Sequence, residues 1–252
     1  MTNTVIQFQN VSKHYVKQRL RYGLLSEAIS RLFTVHRSPF TNHNVIRALD
    51  NVSFSVTKGE TLGVIGPNGA GKSTILKLIS KVTVPDSGQV AAFGRIGALI
   101  ELGAGLHPEL TGRENIFLYG AILGMKKQEV EAKFDDIVAF AEIQDFLDMP
   151  IKRYSSGMYA RLGFAVAVQM EPDILLIDEV LAVGDESFQK KCFAKMKQAK
   201  KSGITIVFVS HNLDWIKLIC DRVLLLKHGK IIADGPPRQV ISAYISNMFF
   251  RL

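Results

Sequence analysis

The run Gly66-Pro67-Asn68-Gly69-Ala70-Gly71-Lys72-Ser73-Thr74 contains the phosphate-binding pattern G-x-x-x-x-G-K-[ST]. The glycines let the backbone curl until its N–H groups converge on phosphates, and a helix starting at Lys72 adds the positive end of its dipole. Lys72 brings a point charge to β- and γ-phosphates, and the Ser73 hydroxyl is a ligand for Mg2+. The plainer alternative is a glycine-rich turn of structural use alone.

Two carboxylates, Asp178 and Glu179, end the apolar run Ile174-Leu175-Leu176-Ile177. At the end of a buried strand they are costly unless a cation or a reaction uses them. Successive strand side chains point to opposite faces, so the two cannot share one role. Asp178 is read as holding Mg2+ through water and Glu179 as polarising the water that attacks a γ-phosphate. A helix N-cap followed by a first-turn acid is the competing reading. Upstream, Tyr154-Ser155-Ser156-Gly157-Met158 opens a helix of small residues. Its Ser-x-Gly turn offers N–H groups and a hydroxyl to an anion bound elsewhere. His211 follows the apolar run Ile204 to Val209 and Ser210, at the end of an expected parallel strand, where α/β sheets place ligand groups. By position alone it is equally a structural histidine.

The elements that must position these residues alternate. Val5 to Phe8 and Val52 to Val56 read as strands of an antiparallel edge layer. Thr61 to Ile65 is a short apolar strand feeding the glycine-rich loop and a helix over Lys72 to Ile79. Gln89 to Phe93 and Gly97 to Leu102 read as strands, and Thr111 to Met170 as nearly all helix, broken at Gly124, Pro150 and Ser155. Strand Ile174 to Ile177, helix Glu186 to Lys200, strand Ile204 to Val209, helix Asn212 to Ile219 and strand Val223 to Leu226 complete the pattern. Continuous apolar strands separated by helices indicate a parallel sheet covered on both faces.

With 252 residues, 47% hydrophobic and 21% charged, the chain fits one large α/β domain or a domain with a small subdomain. No apolar run approaches the roughly 20 residues of a membrane-spanning helix, and Met1-Thr2-Asn3-Thr4 lacks a signal-peptide pattern, so a cytosolic chain is expected. Cys192 and Cys220 have neither disulfide-framework nor zinc spacing and read as buried thiols. Most of the net charge of +8 lies between Lys13 and Arg47, where seven bases face one acid, Glu27. Leu20, Leu24, Ala28 and Leu32 repeat there at helical spacing, as in a basic amphipathic helix. Such a helix either covers a sheet edge or lies at the membrane face. No basic-aromatic interleaving accompanies it, so nucleic acid is not expected as a partner.

Together these motifs resemble the ATP-binding cassette (ABC) ATPases over nearly the whole chain. Gly66 to Thr74 matches the Walker A loop, Tyr154 to Met158 the signature, and Ile174 to Glu179 the Walker B strand with its catalytic glutamate. Ala182-Val183-Gly184-Asp185 matches the D-loop and His211 the switch histidine. The resemblance implies an α/β fold: a P-loop NTPase cassette with a RecA-like, mostly parallel sheet, an antiparallel β edge layer and a helical subdomain. It places residues 1–102 and 171–252 in the catalytic core with its β layer, a basic insertion at about 17–46, and residues 103–170 in the helical subdomain. It implies catalysis by Glu179 and His211. ATP is bound by Gly66, Pro67, Asn68, Gly69, Ala70, Gly71, Lys72, Ser73 and Thr74, with Ser155, Ser156, Gly157 and Asp185, and Mg2+ is held by Ser73 and Asp178. Tyr15 would stack on adenine, the alternative being an edge-strand aromatic. Glu101 stands nearest the place of the Q-loop glutamine, where a carboxylate still offers an oxygen to Mg2+ or water.

Departures from the general pattern narrow the resemblance. Tyr154, Ser156 and Met158 replace the usual leucine, glycine and glutamine. With Glu101-Leu102-Gly103-Ala104-Gly105, Thr111-Gly112-Arg113-Glu114-Asn115 and the basic insertion, they look like the nucleotide-binding subunits of polysaccharide exporters. That implies an ATPase that dimerises, joins a separate polytopic permease in a 2+2 complex, and drives lipid-linked O-antigen across the cytoplasmic membrane from its cytoplasmic face. A teichoic-acid or capsule exporter is the nearer rival, and a soluble cassette ATPase acting on nucleic acid or ribosomes the more distant one. Some members of this group carry a further C-terminal carbohydrate-binding domain, which is not expected here because the chain stops soon after Ile245.

Overall fold

The computed structural model describes residues 3–16, 45–100, 105–178 and 185–249. Most of the basic insertion, Glu101, Glu179 and Ala182 to Gly184 lie outside them.

Strands β1 (Thr4–Val16), β2 (Val45–Thr57) and β4 (Ser87–Ala92) form an antiparallel sheet in the order β2-β1-β4. Both long strands extend well past the apolar cores that mark them in sequence. Ile6 and Phe8 point inward, and then Asn10 takes a left-handed conformation (φ 49°) opposite a second at Asn51 (φ 54°), shifting the register so that Val11 also turns inward. The Ser53 and Ser12 hydroxyls accept the Asn10 and Asn51 N–H groups there, at 2.8 and 3.0 Å. A polar stretch that breaks alternation thus continues as strand to Tyr15.

The central sheet contains β3 (Thr61–Ile65), β5 (Ile96–Leu99), β6 (Ile174–Ile177), β7 (Thr205–Val209), β8 (Arg222–Lys227) and β9 (Lys230–Gly235), in the order β5-β6-β7-β3-β8-β9. The first five are parallel, and β9 returns antiparallel along β8. Its two faces sort the side chains by parity. Leu62, Val64, Ile174, Leu176, Val207 and Val209 join α1 (Lys72–Ile79) and the inner face of the antiparallel sheet. Leu175, Ile177, Ile206, Phe208, Val223 and Leu225 face the remaining helices. Residues of β3, β6 and β7 are buried without exception, which accounts for their continuous apolar sequence.

Helices α2 (Gly112–Ile122), α3 (Lys127–Ala141) and α4 (Ser156–Val168) pack together as a helical layer and share one apolar core with α5 (Glu186–Lys201), α6 (Leu213–Ile219) and α7 (Pro237–Phe249). The expected near-continuous helix over Thr111 to Met170 needs one correction. Residues 142–155 hold only two 3-10 turns, Gln144–Phe146 and Ile151–Arg153. Their backbone pairs instead with the entry to α2: Ile151 N–H donates to Leu110 O, Gly112 N–H to Met149 O and Arg113 N–H to Leu147 O, at 3.0 to 3.2 Å. Among the described residues, no helix is long and apolar enough to cross a membrane.

Candidate functional site

The loop Gly66 to Gly71 joins the carboxyl end of β3 to α1. A Cβ on Gly66 (φ 146°) would sit 2.2 Å from Leu226 O, and one on Gly71 (φ 107°) 2.3 Å from Ala48 O, so the backbone there tolerates only glycine. The β8–β9 turn braces the loop, because Gly229 N–H donates to Ala70 O at 3.1 Å. Gly71 is the N-cap of α1 and offers no side-chain acceptor to the first-turn N–H groups. Those donors and the helix dipole face the position an anion would take. Lys72 is buried (7% exposed), and its ammonium donates to Gly66 O at 2.9 Å and Pro67 O at 3.1 Å. The cation is thus folded onto the carbonyls of its own loop, at the start of α1.

Asp178 directly follows β6 and Ser210-His211 follow β7, so both groups stand with the loop at the carboxyl edge of the adjacent strands β6, β7 and β3. Asp178 is half-buried, and its N–H donates to Leu99 O at 3.3 Å. His211 is exposed, one residue before Asn212, which caps α6 by accepting the Asp214 and Trp215 N–H groups. Among the described residues, no three His, Cys, Asp or Glu side chains gather to hold a metal. The Ser73 hydroxyl and the Asp178 carboxylate are hard oxygen donors of the kind Mg2+ accepts alongside phosphates and water, so the donor set fits that ion without an all-protein cage. Glu101 and Glu179 lie outside the described residues.

Tyr15, near the end of β1 and paired with Ile46 of β2, is 38% exposed and so keeps ring surface for a ligand. The Lys13 ammonium lies 5.6 Å from its centroid and pairs with Asp86 at 2.9 Å. That lysine hydrogen bond, helped by the His14 N–H, holds the Asp86 carboxyl below the usual range.

Ser155 caps α4, its hydroxyl accepting the Met158 N–H at 3.1 Å, and it is exposed with Ser156. A Cβ on Gly157 would meet only Ser155 Oγ, at 3.8 Å, which leaves the turn open on that side. Tyr154 is fixed beneath it: its hydroxyl donates to Phe146 O at 2.8 Å and occupies the space a Cβ on Gly112 would need. Burial, with the nearby Asp148 charge, pushes the Tyr154 phenol up. The Ser155–Gly157 turn therefore opens α4 in the helical layer, whereas the loop Gly66 to Gly71 opens α1 at the carboxyl edge of the central sheet. Asp185 caps α5 by accepting the Phe188 N–H at 2.8 Å and also pairs with Arg161; the backbone hydrogen bond and the Arg161 charge hold its carboxyl below the usual range.

Two residues escaped sequence reasoning. Asn115, 0% exposed, accepts the His107 N–H and donates to His107 O, Leu110 O and Thr111 O. Arg161 is the one charge in the otherwise apolar or small run Gly157 to Val168, a signal that it had to be paired.

A mostly parallel sheet with a glycine-rich loop opening a helix at its carboxyl edge defines a P-loop nucleotide-binding fold. Residues 49–182 match the family described as ABC transporter. The chain is 45% identical to the O-antigen export system ATP-binding protein RfbB of Klebsiella pneumoniae over 242 residues, 95% of this chain and 97% of that one. It is 50% identical to the RfbB of Myxococcus xanthus over 201 residues, 80% of this chain and 46% of the other. A solved dimeric ATP-binding cassette, MJ0796 bound to ADP and Pi, superposes with a TM-score of 0.72 over 92% of this chain and 99% of that one, at 23% identity, a likeness of fold. The chain belongs to the ABC transporter family and is its ATPase cassette.

Proposed function

We propose that this chain is the ATP-hydrolysing subunit of an exporter that moves lipid-linked O-antigen polysaccharide across the cytoplasmic membrane. The buried Lys72 ammonium, folded onto its own loop at an uncapped helix N-terminus, is the observation that carries the ATP assignment. The loop N–H groups and Lys72 bind the phosphates, and the exposed ring of Tyr15 stacks on the base. Ser73 and Asp178 hold Mg2+, with Glu101 as a further oxygen donor. When bound, Mg2+ neutralises charge on the β- and γ-phosphate oxygens. Glu179 accepts the proton of the attacking water, and His211 orients the γ-phosphate end of the site. Ser155, Ser156 and Gly157, with Asp185, meet the nucleotide held by a second copy, so two copies share two sites. They associate with a separate polytopic permease in a 2+2 complex at the cytoplasmic face of the inner membrane, with no part for nucleic acid. The two RfbB relatives, named as O-antigen export proteins, support the cargo.

Glu179→Gln is expected to bind ATP and lower turnover by about a thousandfold or more, the scale on which general base catalysis combines with positioning. Hydrolysis at the wild-type rate would remove that catalytic role. Lys72→Ala is expected to lose ATP binding with its circular dichroism unchanged, and unaltered affinity would remove the phosphate-loop assignment. For the cargo, deleting the gene is expected to abolish surface O-antigen while lipid-linked glycan accumulates inside. Normal surface glycan would exclude this substrate.

A further inference from the structure

Arg161 ties three elements together. Its Nη1 donates to Glu142 Oε2 at 2.7 Å, its Nη2 to Asp185 Oδ2, and its guanidinium lies 5.0 Å from the Phe188 centroid. Glu142 is the left-handed C-cap of α3 (φ 56°) and is also gripped by Lys191 of α5. Asp185 is the N-cap of α5. Beneath the ion pairs, Phe140 of α3, Phe164 of α4 and Phe188 of α5 pack with centroids 5.6 to 6.1 Å apart. One guanidinium therefore joins the end of α3, the first half of α4 and the start of α5. The side chain is only 18% exposed, so its charge needs partners, and only a planar fork can address two carboxylates while lying over a ring.

We propose that Arg161 is a positioning residue that locks the Ser155–Gly157 turn to the start of α5 and so sets the angle at which the turn meets the partner copy's nucleotide. The proposal rests on the reading of that turn given above. Among the described residues Arg161 meets Glu142, Asp185 and Phe188, all on the helical side of the molecule, so a single chain's grip on ATP is expected not to depend on it. Chemistry in the shared site does, because small displacements of a positioned group cost large factors in rate.

Kinetics of the chain test this. Arg161→Gln is expected to lower kcat at saturating ATP by about tenfold or more, while KM and the ATP bound per chain stay within about twofold of wild type. Glu142→Gln keeps the length of the side chain but removes the charge that Arg161 pairs with at the end of α3. It should show the same loss, and Arg161→Gln/Glu142→Gln should be no slower than either single variant. Arg161→Lys keeps the charge without the fork and should be intermediate; it carries the test if the glutamine variant does not fold. Wild-type kcat in Arg161→Gln, losses that multiply in the double variant, or ATP stoichiometry falling in step with kcat would overturn the proposal. Gly157→Asp separates the two readings. If it hydrolyses at the wild-type rate, the turn does not meet nucleotide; if it is inactive while Arg161→Gln is active, only the Arg161 lock is lost.

Discussion

Cys192 and Cys220 show how surroundings decide what a residue can do. Both are buried, Cys192 on the inner face of α5 and Cys220 at the end of α6. Burial pushes each thiol up to about 12. Cys220 Sγ would lie 2.9 Å from a Cβ at Gly63, so it packs directly on the central strand that feeds the phosphate loop. A thiol titrating near 12 is almost wholly protonated at pH 8, and the thiolate is the nucleophile. Neither cysteine should therefore react with Ellman's reagent at pH 8 in the folded chain, and both should react in urea. Fast labelling of either under native conditions would mean that α5 or α6 opens locally. Their burial was legible from sequence because neither has the spacing of a disulfide framework or a zinc site. Arg161 was not legible in the same way: its one-letter context announces a need for partners, yet Glu142 and Asp185 lie 19 and 24 residues off along the chain.

At the scale of elements, the apolar strands β3, β6 and β7 and the helix after the phosphate loop follow from sequence because burial on both faces leaves an unbroken apolar signature. Polar elements hide. Strand β1 continues through Asn10 to Tyr15 by a bulge, and β9 alternates along Lys230–Gly235 between exposed and half-buried positions that a short polar run does not reveal. The string Thr111 to Asn115 changes meaning most. Thr111 and Glu114 form a capping box, Gly112 admits the Tyr154 hydroxyl, Arg113 pairs with Asp148, and Asn115 gathers the loop from His107 to Thr111. Each residue of the string thus has a structural partner within the cassette. Asn115→Ala would take the acceptor from the part-buried His107 N–H and the donor from at least one carbonyl, each worth about 1–3 kcal/mol. It is expected to lower unfolding free energy by about 2–4 kcal/mol, read as a fall in urea midpoint with unchanged m-value. Thr111→Ala, which removes only a solvent-facing cap, should cost about 1 kcal/mol. Equal midpoints for the two variants would contradict the central place given to Asn115.

Across the whole molecule, the parts proposed to act on ATP fall on two bodies of structure. Lys72, Asp178 and His211 stand at the carboxyl edge of the central sheet, whereas Ser155, Ser156 and Gly157 open a helix in the helical layer, tied to Phe146, Gly112 and, through Arg161, to α5. If each working site needs the loop of one copy and the turn of another, hydrolysis depends on pairing, and ATP-driven pairing follows mass action. The rate per chain should then rise with protein concentration and level off once pairing is complete. Two defective chains offer a sharper check. Gly157→Asp keeps a sound phosphate loop and Lys72→Ala keeps a sound turn, so each homodimer lacks both sites, while a mixed dimer assembles one intact site from the good half of each. An equal mixture should recover about a quarter of the wild-type rate, since half the dimers are mixed and each has one of its two sites, provided the sites act independently. No recovery, with mixed dimers demonstrated by cross-linking, would require either a site complete within one chain or two sites that fire only together. Dilution separates these, because only the first predicts a wild-type rate per chain that does not change with concentration.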